Sequence, residues 1–164
     1  MGALVGIEIA KKYSKHVRNL ILCSPPLYRH DNEYSLTLKP NKLLPKLYQA
    51  AQANPSQFAR LAAYATKYKL VNEGFNVTSE NIETYLAALE GMILNQTSYD
   101  DALQLKMPTY VIYGTLDPFI ITNDIKTLAH NNQNISLKPV LAGHEVQGLL
   151  LKAVQTKLTE LLAK

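Results

Sequence analysis

Two side chains with complementary proton chemistry stand at matching places in the C-terminal half of this 164-residue chain. The apolar run Thr109-Tyr110-Val111-Ile112-Tyr113 leaves through Gly114-Thr115-Leu116 into Asp117, and the run over 136–141 leaves through Ala142-Gly143 into His144. A carboxylate beside an imidazole holds the ring in one tautomer and stabilises the imidazolium formed when the other ring nitrogen takes a proton. Such a pair suits general acid–base work and needs a nucleophile to become a covalent catalyst. Taken singly, an Asp after a strand ordinarily closes a turn, and a lone His is ordinarily structural. The recurrence of the pattern at successive strand ends is what gives the functional reading its weight.

For the two side chains to meet, the surrounding elements must carry them to one rim. Residues 2–13 have helical periodicity, with apolar Leu4, Val5, Ile7, Ile9 and Ala10, and with Lys11-Lys12 in the last turn, where the helix dipole favours cations. The run 17–23 reads as a strand closed by Ser24-Pro25-Pro26, because prolines cannot continue a ladder. An irregular polar stretch leads to helical segments. One covers 42–53. The next starts with Asn54 as N-cap, Pro55 in the first turn and Gln57 at the capping-box position, and continues with a stripe of Phe58, Leu61, Ala62, Ala65 and Tyr68. Gly74 interrupts the pattern, and Thr78 or Ser79 is expected to cap a helix bearing Ile82, Tyr85, Leu86, Leu89 and Ile93. A short helix over 99–105, a strand over 109–113, a helix over 123–131, a strand over 136–141 and a terminal helix over 147–162 complete the order. Strands spaced by helices predict a parallel sheet with right-handed crossovers. Ligands sit beyond the carboxyl ends of such sheets, which is the rim shared by Asp117 and His144.

Gly114-x-x-Asp117, Gly143-His144 and the opening Met1-Gly2-Ala3 together resemble the α/β-hydrolase superfamily, whose nucleophile elbow is G-x-S-x-G. Met1 and Gly2 match the last two positions of that elbow, so the resemblance puts the nucleophile immediately before Met1. It implies an α/β fold: the C-terminal part of an α/β-hydrolase, about three parallel strands with flanking helices and a helical cap insertion. Residues 1–24 and 99–164 would form the core and 25–98 the cap, above the strand ends. By the same resemblance 2–13 is the helix behind the nucleophile, and 17–23, 109–113 and 136–141 are the sixth, seventh and eighth strands. Asp117 is then the triad acid, His144 the general base, and the Met1 backbone N–H one oxyanion-hole donor.

The implied activity is hydrolysis of a carboxylic ester or related acyl bond through an acyl-enzyme, with a Ser, Cys or Asp nucleophile outside this chain. The contrasting reading is a non-catalytic truncated remnant that serves as a binding or interaction module. The expected ligand is a small apolar acyl or ester compound. Tyr28, Tyr34, Tyr48, Tyr64, Tyr68 and Tyr85 are either core residues or part of its pocket. The open edge of the strand over 17–23 would take a complementary N-terminal chain or a second copy of this one.

Composition narrows the alternatives. With 47% hydrophobic and 18% charged residues, the chain can bury a core. The net charge of +4 is spread along the sequence without an arginine-rich stripe, which argues against nucleic-acid binding. The single cysteine, Cys23, excludes an internal disulfide and fits a buried thiol in a cytoplasmic protein. No stretch approaches the about 20 apolar residues of a membrane span. No cofactor or metal is expected: His16, His30, His130 and His144 lack metal-ligand spacing, and Gly2-x-x-x-Gly6 fits close helix packing better than phosphate binding. Asp124 should begin the helix after Asp117, and Asp100 and Asp101 should favour the positive end of the short helix before it.

Overall fold

The computed structural model describes residues 2–29, 43–68, 77–91, 97–117 and 119–163. Its centre is a three-stranded parallel sheet, β1 (Leu20–Cys23), β2 (Thr109–Gly114) and β3 (Ile135–Val140), in the order β1-β2-β3. The register pairs Leu20 with Thr109 and Cys23 with Ile112, then Thr109 with Ile135 and Gly114 with Val140. The first strand is shorter than the predicted 17–23. Its ladder begins with the Leu20 N–H on the Pro108 carbonyl, 3.0 Å, at the foot of β2. Among the described residues no strand pairs with 17–19, and two of these three residues, Arg18 and Asn19, are polar.

Strand alternation sorts the side chains between two faces. Leu20 and Leu22 approach Gly6 of helix α1 (Gly2–Lys12), within 3.7–3.8 Å of where a Cβ would stand. Ile21 and Cys23 instead pack with Ile112, Val140, Leu150, Ala153 and Val154, the last three from the terminal helix (Gly148–Leu162). The sheet therefore lies between α1 and the terminal helix. Only one side of each helix is used: α1 buries Leu4, Ile7 and Ala10 and leaves Val5 and Ile9 outward, while the terminal helix buries Leu150 and Ala153 and leaves Leu151, Leu158 and Leu162 exposed. The contacts at Gly6 are ordinary van der Waals distances, and nothing lies within 4 Å of a Gly2 Cβ. Close packing thus does not require glycine at either place.

A short helix between the insertion and β2 (Ser98–Leu103) and the crossover helix to β3 (Thr122–Asn131) complete this part. The short helix carries Asp100 and Asp101 in its first turn, and Asp101 also receives Lys11 Nζ from α1 at 2.6 Å. Its C-terminal end is closed by buried Asn132, whose Nδ2 donates to the carbonyls of Ala102, Leu103 and Leu105 at 3.0–3.2 Å. Carbonyls orphaned at a helix end need such partners when buried.

The chain divides into two compact units, Met1–Pro40 with Thr97–Lys164, and Asn41–Gln96. Residues 25–29, which the sequence pattern grouped with the insertion, lie in the first: Leu27 is fully buried, and Tyr28 Oη donates to the Phe119 carbonyl at 2.9 Å. The second unit holds three helices over described residues, Leu43–Ala53, Pro55–Lys67 and Ile82–Leu89. The middle one starts as expected, with Asn54 Oδ1 accepting from the Gln57 N–H at 3.1 Å. Its buried side is Ala59 and Ala62, with Phe58 alongside, so Leu61, Tyr64 and Tyr68 face outward rather than into the unit's core. The third is capped by neither Thr78 nor Ser79. Asn81 precedes it and uses its side chain on the Thr78 N–H at 2.7 Å. Among the described residues no helix is long and apolar enough to cross a membrane.

Candidate active site

Strand β2 ends at Gly114, and the chain must turn there without leaving the sheet. The Asp117 N–H returns to the Gly114 carbonyl at 3.3 Å, closing a turn. The turn stays attached to the neighbouring strand end, since the N–H groups of Thr115 and Leu116 donate to the carbonyls of Val140 and Ala142 at 2.8 and 3.0 Å. The exits of β2 and β3 are thus laced together by backbone hydrogen bonds. A Cβ on Gly114 would stand 2.3 Å from the carbonyl oxygens of Ala142 and Gly143, so only glycine fits this approach. Gly143, just before His144, has open space where a Cβ would go. The close approach is made by its carbonyl, not its missing side chain.

This lacing brings the two predicted side chains together. His144 Nδ1 lies 2.8 Å from Asp117 Oδ2. The Asp117 side chain is fully buried, whereas that of His144 is 42% exposed. The second carboxylate oxygen, Oδ1, accepts the Phe119 N–H at 2.9 Å, an Asx turn two residues on. The Phe119 ring stands perpendicular to the imidazole, centroids 5.0 Å apart at 84°. An ionised carboxylate only accepts, so the shared proton belongs to Nδ1 and the Nε2 lone pair is left for other work. The arrangement combines a buried, fixed acid with a partly exposed imidazole, as a base that handles a ligand proton requires.

The neighbouring strand end has features the sequence did not signal. Ser24 follows β1 with φ +43°, in the left-handed region, and its buried Oγ has no hydrogen-bond partner among the described residues. Left-handed backbone at a non-glycine residue costs free energy and is found preferentially at functional turns. Cys23, read from the sequence as a buried thiol, is half-buried; burial pushes its pKa up, and the negative charge of Asp117 adds to that. Asp124 sits buried in the first turn of the crossover helix and accepts the Arg29 N–H at 3.2 Å. His16, His130 and Glu145 are exposed. Met1, the expected oxyanion donor, and His30 and Tyr34 lie outside the described residues.

No family model matches the sequence, and no curated protein gives a significant match. Solved structures do match. An enol-lactonase from Burkholderia xenovorans LB400 is 17% identical, covered over 63% of its length by 100% of this chain, with TM-score 0.62. A thermophilic esterase from Thermogutta terrifontis is 18% identical over 99% of this chain and 61% of its own, with TM-score 0.60. An epoxide hydrolase from Bacillus megaterium is 18% identical over 99% and 66%, with TM-score 0.63. The chain therefore spans less than two thirds of the length of several proteins it matches. With strands parallel and helices on both faces, the chain has the α/β-hydrolase fold of these neighbours, over the 61–66% of their length that it covers.

Proposed function

We propose that this chain supplies the acid and the general base of a hydrolase site for carboxylic esters or related acyl bonds, with Asp117 as the acid and His144 as the base. The observation that carries the reading is the 2.8 Å contact between a fully buried Asp117 carboxylate and a His144 side chain that is 42% exposed. In this reading Asp117 sets the tautomer and steadies the imidazolium. Nε2 takes the proton of the nucleophile, returns it to the leaving group, and then activates the water that cleaves the acyl-enzyme. The nucleophile belongs to a residue outside this chain, before Met1, and the Met1 N–H is one oxyanion donor. The substrate is a small apolar acyl or ester compound, and the setting is cytoplasmic.

The reading includes a partner at β1. Among the described residues that strand pairs only with β2, so its other side is an open edge. A complementary N-terminal chain or a second copy of this one adds a strand there. Residues 25–98, less the stretch that packs with the first unit, serve as the cap.

Ester turnover and fluorophosphonate labelling test the proposal. In a polypeptide that also carries the residues encoded in frame before Met1, His144→Gln lowers turnover of short p-nitrophenyl esters by about 10²–10⁴-fold, the range for a lost general base. Labelling mapped by peptide falls before Met1 and on no serine of this chain. Undiminished turnover in the variant contradicts the role of His144, and a labelled Ser24 contradicts the placement of the nucleophile. A chain that binds apolar esters without turning them over, with or without the upstream residues, is the binding module instead.

A further inference from the structure

We propose that Phe119 is a positioning residue for the Asp117–His144 pair and that Tyr28 fixes Phe119; this rests on the reading of that pair as acid and base. Phe119 touches both partners at once. Its N–H, 2.9 Å from Asp117 Oδ1, occupies one carboxylate oxygen and leaves Oδ2 turned toward the imidazole. Its ring stands across the His144 ring at 5.0 Å and 84°, the edge-to-face geometry that aromatic pairs favour. With 42% of its side chain exposed, the His144 imidazole can swing about its Cβ–Cγ bond unless something beside it limits the motion. A perpendicular ring beside it limits that swing.

The third contact holds Phe119 itself. Tyr28 Oη donates to the Phe119 carbonyl at 2.9 Å, and the next residue, Arg29, donates its N–H to Asp124 Oδ2 at 3.2 Å. The segment after β1 is thereby tied at two points to the segment after β2. The chain around Phe119 is pinned from the neighbouring strand end, while its own N–H and ring act on the acid and the base.

The imidazole proton on Nδ1 of His144 reports the arrangement directly. Its exchange with water is measured by nuclear magnetic resonance on the 164-residue chain labelled at histidine nitrogen, with His144→Gln assigning the signal. Phe119→Leu keeps the backbone N–H and removes the ring, and exchange is expected to quicken about tenfold, the size of one aromatic pair contact. Phe119→Tyr keeps the ring and restores the wild-type rate. Asp117→Asn abolishes the slow signal. If Phe119→Leu exchanges at the wild-type rate while Asp117→Asn loses the signal, Phe119 has no positioning role and the acid–base pair stands. If the signal survives Asp117→Asn, the pair itself is wrong and this inference falls with it. Should Phe119→Leu fail to fold, Tyr28→Phe, which removes one hydroxyl, carries the test: several-fold faster exchange supports the inference, and an unchanged rate overturns it.

Discussion

At the scale of single residues, the Asp117 carboxylate acts in two directions. One oxygen faces His144, and its charge reaches Cys23 across the strand end, where burial and that charge together raise the thiol's pKa. The sign of the second effect is testable. Replacing Asp117 by Asn removes a charge that disfavours the thiolate, so the pH at which Cys23 reacts with iodoacetamide moves downward in Asp117→Asn. A midpoint that stays put or rises contradicts the proximity of the two groups. Gly114 carries a steric prediction. Gly114→Ala drives a methyl into two backbone carbonyls and costs about 1–3 kcal/mol or more in urea unfolding, as overpacking does. Gly143→Ala, with open space around it, stays within about 0.5 kcal/mol of wild type. Equal losses at both positions contradict the laced strand ends.

At the scale of elements, α1 is joined to the short helix before β2 by Lys11 and Asp101. Burial pushes the Asp101 carboxyl up, but hydrogen bonding with Lys11, Glu8 and Thr97 outweighs it and holds the group below its ordinary value. A carboxyl lowered on folding contributes stability above its unfolded pKa and loses it as pH falls through the folded value. Thermal unfolding of wild type followed downward from neutral pH should therefore fall more steeply in the acid range than that of Asp101→Asn; parallel curves contradict the pairing. Much of the element order was legible in the sequence because it rests on local signals. The Asn54-Pro55 start of a helix and the apolar runs of β2 and β3 are examples, and the prolines after Cys23 mark the end of β1. The start of β1 was not legible, since it is set by where Pro108 meets Leu20 from nearly ninety residues away. The outward faces of Leu61 and Tyr68 were missed for a related reason: small Ala59 and Ala62, not the bulkier residues, lie against the neighbouring helices. Asp117 and His144 were legible as strand-end residues. The bond of Tyr28 to Phe119 was not, because it joins segments 91 residues apart, and neither was the left-handed backbone of Ser24, a residue type that does not signal it.

At the scale of the whole molecule, two features of the first unit favour association. The outer edge of β1 is unpaired among the described residues, and α1 with the residue after it exposes Val5, Ile9 and Tyr13, each 44–49% accessible. Strand edges and apolar stripes of this kind promote pairing with another chain. The 164-residue chain by itself is expected to gain mass with concentration in sedimentation equilibrium. A single monomer mass throughout the micromolar range contradicts a second copy at β1 and leaves the complementary N-terminal chain as the partner there.

The account turns on whether Asp117 fixes the proton of His144, and the tautomer of that imidazole tests it most directly. Nitrogen-15 chemical shifts of the neutral ring distinguish Nδ1–H from Nε2–H. Wild type is expected to hold the Nδ1–H form, with Nε2 free as a base, and Asp117→Asn is expected to lose that preference, since an amide can turn its own N–H toward Nδ1. A wild-type ring protonated on Nε2, or a tautomer indifferent to Asp117→Asn, would contradict the acid–base pair on which the proposed function rests.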